Sequence, residues 1–343
     1  MKLSKIKNNI KKRLKIKFSK MNIIVLGAGA IGSLYVAKLS KLNNVILVGN
    51  KQHVEKINKN GLKIVGLENR IYKIKAVECE RVSCLRERRA SSRSSRSLAC
   101  HTKVKKIESN TLILLTTKVH DSKKAINSIK HLVKKDTIIL CLQNGLNSED
   151  IVKEIIGKKC LVLRAITNFG AIFLKPGIIA YKNYGYTTIE KNLRNKKISK
   201  NFNGCGLNCQ VSNNIKTDVW KKLILNCVLN PLSAILRVEN RGIADEKLNP
   251  IKKLIIDECL KVAKKDGATF NFNCVKAINN GIKNSRNISS MQQDLIKGKK
   301  TEIDYLNGAV IKLGRKYGIK CPVNEVLTMI IREIEKKSMK MFK

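Results

Sequence analysis

Asn22-Ile23-Ile24-Val25-Leu26-Gly27-Ala28-Gly29-Ala30-Ile31-Gly32-Ser33-Leu34-Tyr35-Val36-Ala37-Lys38-Leu39 runs from an apolar strand through a glycine-rich turn into a helix. A GxGxxG pattern alone is a weak signal. Here a strand precedes it, a helix from Ser33 to Ser40 follows it, and a second apolar run, Val45–Val48, stands where the next strand belongs. Gly27 permits the tight turn, Gly29 lets the backbone approach a pyrophosphate, and Gly32 lets helix and strand pack closely. The N-terminus of that helix would turn unpaired N–H groups and a partial positive charge toward a phosphate. Gly27, Ala28, Gly29, Ala30, Ile31 and Gly32 are therefore read as a dinucleotide-binding turn, against the simpler reading of a glycine turn with no ligand.

Further apolar runs follow at Leu112–Thr116, Thr137–Leu142 and Leu161–Ile166, separated by amphipathic stretches. Short buried runs alternating with helical periodicity predict a mostly parallel sheet with crossover helices. Strand signals stop at Lys216. Segments 217–236, 249–266, 287–297, 301–317 and 323–337 read as helices. The expected fold class is α/β: a Rossmann-type dinucleotide-binding domain over 21–215, then an all-helical domain over 216–343 that carries substrate and catalysis.

Two segments stand apart. Residues 1–20 carry nine Lys or Arg and no acid, and read as a basic, disordered extension. Residues 79–100 hold six of the 15 Arg, all between Arg81 and Arg96, with many Ser and three Cys. That composition is foreign to a Lys-rich chain and reads as an inserted surface loop; an RNA-binding segment is the alternative.

The 343 residues carry 70 Lys and Arg against 25 Asp and Glu, a formal charge of +45. Such an excess suits an anionic partner. Few of these cations are Arg, aromatics are only 4%, and the Lys are spread evenly, so a solvated basic surface is expected rather than a nucleic-acid site. The 14-residue run Leu223–Leu236 contains two Asn and a Pro, too short and polar to span a bilayer, so no membrane partner is expected. Eleven scattered Cys, with only a CxxxC at Cys205 and Cys209 and no His beside it, predict buried thiols in a reducing cytoplasm and no metal.

Lys222, Asn226 and Asn230 recur at i, i+4 and i+8, on one stripe of a helix whose other residues are mostly apolar. Polar groups so placed need partners. They form either a structural hydrogen-bond network or a ligand-facing stripe. Ser290 and Glu302 belong to a second polar group, Ser289–Asp294 and Thr301–Gly308. Spacing leaves Glu302 as an exposed first-turn acid or as a partner of Lys222. Thr116-Thr117-Lys118 and Gln143-Asn144-Gly145 end strands, where open α/β sheets bind ligands, although a plain turn also explains Asn144-Gly145. At the end of the second strand, Gly49-Asn50-Lys51-Gln52-His53 lacks the acid that reads a ribose 2′-hydroxyl. Lys51 and Asn50 could instead meet a 2′-phosphate, which favours NADPH; Lys51 as a solvated lysine, and use of NADH, stay open.

Together NIIVLGAGAIGSLYVAKL, TTKVHD, LQNGLN, VWKKLILNCVLNPLSAI and SSMQQDLIKGKKTEIDYLNG resemble the ketopantoate reductase (2-dehydropantoate 2-reductase) family over Met21–Lys75 and Val104–Tyr317. The resemblance implies reduction of 2-dehydropantoate to (R)-pantoate with NADPH, on the way to pantothenate and coenzyme A. It places the family's catalytic lysine on Lys222. Its substrate-binding serine and glutamate fall on Ser290 and Glu302, its substrate- and cofactor-contacting asparagine on Asn144, and its cleft lysine on Lys118. Asn226 and Asn230 would then orient Lys222 and the substrate. The family often has Arg at the position of Asn50, so this chain departs there. A homodimer stays open.

Overall fold

The computed structural model describes residues 20–81, 100–102, 104 and 106–341. The expectations for the basic extension and for most of the Arg/Ser-rich stretch fall outside these residues. The two ends of that stretch lie in strands.

The first half alternates strands and helices. These are β1 Asn22–Leu26, α1 Ala30–Leu39, β2 Asn44–Gly49, α2 Lys51–Asn60, β3 Leu62–Gly66, β4 Arg70–Tyr72, β5 Lys75–Arg81, β6 Cys100–Thr102, β7 Leu112–Leu115, α3 Ser122–Ile129, β8 Ile138–Cys141, α4 Ser148–Ile156, β9 Leu161–Thr167, β10 Gly170–Lys175, β11 Ile178–Asn183, β12 Thr187–Glu190, α5 Asn195–Gly204 and β13 Cys209–Ser212. The main sheet has the order β13-β12-β9-β8-β7-β1-β2-β5-β6. Its centre is parallel: β1 lies between β2 and β7, with Ile24 opposite both Ile46 and Ile113. The four residues of β7 and of β8 are all buried, as strands covered on both faces must be.

A second, four-stranded sheet, β10-β11-β3-β4, was not expected from the sequence. It explains why α1 is apolar on nearly every side. The helix packs against β1 and β2 of the main sheet and against β3, β10 and β11 of the small one. Leu34, Tyr35, Val36, Ala37 and Leu39 are all buried there.

The second half is helical: α6 Ile215–Leu236, α7 Asn249–Lys265, α8 Cys274–Ile282, α9 Ser290–Ile296, α10 Asn307–Lys316 and α11 Pro322–Met341. Helix α8 is not among the helices that the sequence predicts. The expected helix over 301–317 divides into a one-turn 3-10 helix, Ile303–Tyr305, and α10. Helix α6 is long and apolar enough by composition to cross a bilayer, but it forms the core of this half instead. Trp220, Leu223, Ile224, Cys227 and Val228 are buried on it, facing α7, α9 and α11.

His53 ties the two sheets together. It is fully buried; its Nδ1 accepts from the Gly177 N–H at 2.9 Å, so the ring proton sits on Nε2, 3.0 Å from Ser33 Oγ. Burial pushes its pKa from 6.5 down to about 4. Above pH 6.5 the ring is neutral folded or unfolded and costs nothing; below it, only the unfolded chain takes up the proton. Stability should therefore fall as pH drops from 6.5 toward 4, by about 2 kcal/mol at pH 5 from this group. Urea unfolding at pH 7 and pH 5 checks this. His53→Gln should remove that part of the slope, and an unchanged slope would contradict it.

Candidate active site

The carboxyl ends of β1, β7 and β8 come together. Gly27 donates to Val48 O at 3.0 Å, Thr116 N to Leu26 O at 2.9 Å, and Leu142 N to Leu115 O at 3.0 Å. Gly27 has φ +119°, and a Cβ there would lie 2.5 Å from Thr117 N. A Cβ on Gly32 would lie 1.9 Å from Gly27 O. Both positions require glycine. Around Gly29, by contrast, a Cβ would meet nothing within 4 Å.

Helix α1 begins at Ala30, earlier than the sequence suggested, with Gly29 as its N-cap. Gly29 supplies no capping side chain, and the first turn carries no acid. The first turn therefore has no side-chain cap among the described residues, and the space beside Gly29 lies next to the helix's positive end. A pyrophosphate fits this cradle, which a side chain at position 29 would occupy.

Asn50 is the N-cap of α2: its Oδ1 accepts from His53 N at 3.0 Å. Its carbonyl oxygen is therefore engaged, while its amide N–H groups remain to donate. Lys51 is exposed at the first position of α2. It lines a groove between α2 and β5 with Val54, Asn58 and two acids, Glu55 and Glu78. Glu78 stands opposite Gly49 in the β2–β5 register, a neighbour that reading the second strand alone could not reveal.

Lys222 lies on α6, half-buried, and its Nζ donates to the carbonyl oxygen of Thr167 at the end of β9. Burial pushes its pKa down to about 8; the Arg164 charge adds to the shift and Glu302 opposes it. Asn226 is half-buried and Asn230 buried on the same stripe. Neither side chain has a hydrogen bond to any described residue, so the stripe is not an internally satisfied network.

Glu302 is 5% exposed and stands just before the 3-10 turn, so the reading of an exposed first-turn acid is overturned. Its other reading, a bonded partner of Lys222, is corrected as well. Glu302 accepts from Lys118 Nζ at 3.4 Å, Asn144 Nδ2 at 3.3 Å and the Val119 N–H at 3.3 Å. Only its charge reaches Lys222. Burial alone would raise its carboxyl pKa, but the Lys118 charge and these hydrogen bonds outweigh it and hold the group ionised.

Lys118 also binds Asp294 of α9 at 2.7 Å. Burial works against its ammonium, while the charges of Glu302 and Asp294 more than compensate and raise its pKa. One lysine of the sheet half therefore bridges two acids of the helical half. Ser289, not Ser290, caps α9: its Oγ accepts from Gln292 N at 3.2 Å and lies 2.8 Å from Ser233 Oγ. Ser290 is exposed at the first position of α9, with no side-chain hydrogen bond to a described residue.

Two further residues, Gln143 and Arg164, hold these strand ends. Gln143 Nε2 donates to Thr117 O and Ser122 Oγ, both at 2.8 Å, joining the ends of β7 and β8. Arg164 grips the loop after β8. A lone Arg inside the apolar run Leu161–Ile166 was the signal for it, since a charge in a buried strand needs partners.

Family models described as ketopantoate reductase PanE/ApbA and its C-terminal part match residues 23–193 and 214–335. A 2-dehydropantoate 2-reductase of Pyrococcus horikoshii is 33% identical over 323 residues, 92% of this chain and 98% of that protein. That of Lactococcus lactis is 29% identical over 334 residues, 92% of this chain and 98% of its own length. A crystal structure of a ketopantoate reductase from Ralstonia eutropha superposes with TM-score 0.78 at 28% identity, covering 93% of this chain and 99% of that one. D-mandelate dehydrogenase in a ternary structure with NADH and anilino(oxo)acetate gives TM-score 0.79 at 27% identity, with the same coverage. With both of its halves matched, the chain belongs to the ketopantoate reductase family of oxidoreductases.

Proposed function

We propose that this chain reduces 2-dehydropantoate to (R)-pantoate, consuming NADPH and a proton and releasing NADP⁺, as a step toward pantothenate and coenzyme A. The observation that carries the reading is Lys222, a half-buried ammonium with a pKa near 8, placed between the helical half and the end of β9. Gly27, Gly29, Gly32 and the first turn of α1 would hold the pyrophosphate. Asn50 and Lys51 would hold the 2′-phosphate, and Asn144 would contact both cofactor and substrate.

When bound, NADPH supplies the hydride that reduces the 2-oxo carbon. Lys222 Nζ donates its proton to the carbonyl oxygen, where negative charge would otherwise collect. A pKa near 8 keeps most of the ammonium charged at neutral pH while making its proton easier to give than that of a free lysine. Asn226 and Asn230, one and two turns further along α6, orient the ammonium and the polar groups of the substrate. Ser290 binds the substrate carboxylate. Glu302, kept anionic by Lys118 and Asn144, accepts from the 4-hydroxyl. Movement of the helical half toward the sheet half excludes water. Cys141, Cys205, Cys209, Cys227, Cys259, Cys274 and Cys321 are buried free thiols, which suits work in a reducing cytoplasm.

A second reading, reduction of another 2-oxo acid, is favoured by the likeness to D-mandelate dehydrogenase. NADPH oxidation by the chain from Met21 onward, with 2-dehydropantoate and phenylglyoxylate compared, decides between them. The proposal expects kcat/KM to favour 2-dehydropantoate at least tenfold, about 1.4 kcal/mol of discrimination; the reverse order would overturn it. The cofactor assignment has its own test. NADPH should be preferred over NADH, and Lys51→Ala should lower kcat/KM for NADPH about tenfold and leave that for NADH unchanged. A wild-type preference for NADH would contradict the role of Lys51.

A further inference from the structure

Arg164 is a buried cation that the chemistry above does not use. It sits on β9, between the apolar residues Leu161–Leu163 and Ala165–Ile166, and is 2% exposed. Its Nη2 donates to Gln143 O at 2.8 Å and to Gly145 O at 2.7 Å, and its Nη1 donates to Ser148 Oγ. Glu149 lies 3.7 Å from Nη1. The two carbonyls stand on either side of Asn144, so one rigid guanidinium grips the loop across the residue it presents.

The far side of that loop meets the helical half. Asn144 donates to Glu302, and Gly145, at φ +83°, leaves so little room that a Cβ would lie 2.5 Å from Tyr305 O. The loop is thus fixed between Arg164 beneath and Tyr305 above. Three residues further along the same strand, the Thr167 carbonyl holds Lys222. A lysine could not replace the fork, because its three donors sit on one nitrogen at the end of a flexible stem.

Building on the reductase function proposed above, we infer that Arg164 is a positioning residue of the active site, acting through the loop that presents Asn144 to Glu302 and the substrate. It touches neither cofactor nor substrate. Its charge also helps to lower the pKa of Lys222, behind the larger effect of burial.

A double-mutant cycle tests this. Arg164→Met and Arg164→Lys are made alone and together with Asn144→Ala, and kcat and KM for 2-dehydropantoate are measured. Arg164→Met should lower kcat/KM about 10- to 100-fold, the cost of misplacing a contact by about an ångström. Arg164→Lys should recover part of that loss. In the Asn144→Ala background either change should cost less than about threefold, since the residue acted upon is gone. Equal penalties in both backgrounds would overturn the inference. If Arg164→Met does not fold, Arg164→Lys carries the same cycle.

A second readout needs no ligand. In the free protein, the amide resonances of Asn144 and Gly145 should shift or broaden in Arg164→Lys, while the indole of Trp220 stays in place. Unmoved Asn144 and Gly145 resonances would overturn the inference. Absence of wild-type turnover of 2-dehydropantoate would count against the substrate reading alone, because the resonances judge Arg164 separately.

Discussion

Lys222→Ala should lower kcat by about two orders of magnitude or more while changing KM far less. The range expected for losing a placed general acid is about 10²- to 10⁴-fold. The side chain is half-buried on the core helix of the helical half, and its Nζ already points at the carbonyl end of β9. Truncation therefore removes a proton donor without emptying the hydrophobic core, and the fold should survive. Lys222→Arg separates two contributions. It keeps a cation near the oxygen but offers no proton at neutral pH, since guanidinium stays charged above pH 12. If proton donation carries the effect, Lys222→Arg stays near the alanine level; if charge alone suffices, it recovers most of the rate. Steady-state kinetics of the two variants, with circular dichroism as the control for folding, provide the check.

Glu302→Ala should lower kcat/KM for 2-dehydropantoate about 100-fold and weaken NADPH binding only about two- to threefold in a fluorescence titration, through the unpaired Asn144. Glu302 meets three groups of the sheet half, Lys118, Asn144 and the Val119 N–H, and none of these belongs to the glycine turn. Its loss unpairs Asn144 and leaves Lys118 with Asp294 only. A misplaced contact at a reacting centre is enough for a loss of that order. Stability should also fall by about 1–3 kcal/mol, because buried donors lose their acceptor. Glu302→Gln keeps the shape and removes the charge. It should regain part of the stability but little activity, because a neutral amide is a weaker acceptor for the 4-hydroxyl. A loss of NADPH affinity as large as the loss in kcat/KM, in either variant, would contradict this division of labour.

The parts of the site that were legible in the sequence are the parts made locally. The turn Gly27–Gly32 is one strand, one turn and one helix, each with its own periodicity. Lys222, Asn226 and Asn230 share a face because a helix repeats every 3.6 residues. The bridge from Lys118 to Asp294 and Glu302 spans 176 and 184 residues of sequence, and no local period reports such a pairing. The sequence offers Asn50 as a partner for a 2′-phosphate, while its place as the cap of α2 depends on backbone angles. The acceptor of Lys222 is a main-chain carbonyl, which every residue possesses and no residue type signals. The small sheet went unseen because its pairing of β11 with β3 joins strands more than a hundred residues apart. His53 was read as part of the ribose-facing stretch, and its burial appears only once that sheet closes over α1 and α2.

The central claim is that Lys222 gives its proton to the carbonyl oxygen of a bound 2-oxo acid. The most direct test is the pH dependence of kcat for reduction of 2-dehydropantoate by the wild-type chain and by Lys222→Arg. The wild-type rate should hold at neutral pH and fall as pH rises through about 8, where the Lys222 ammonium loses its proton. Lys222→Arg should be slow throughout and lack that fall. A wild-type rate that stays level well above pH 8, or a Lys222→Arg enzyme as fast as the wild type, would show that the proton comes from elsewhere.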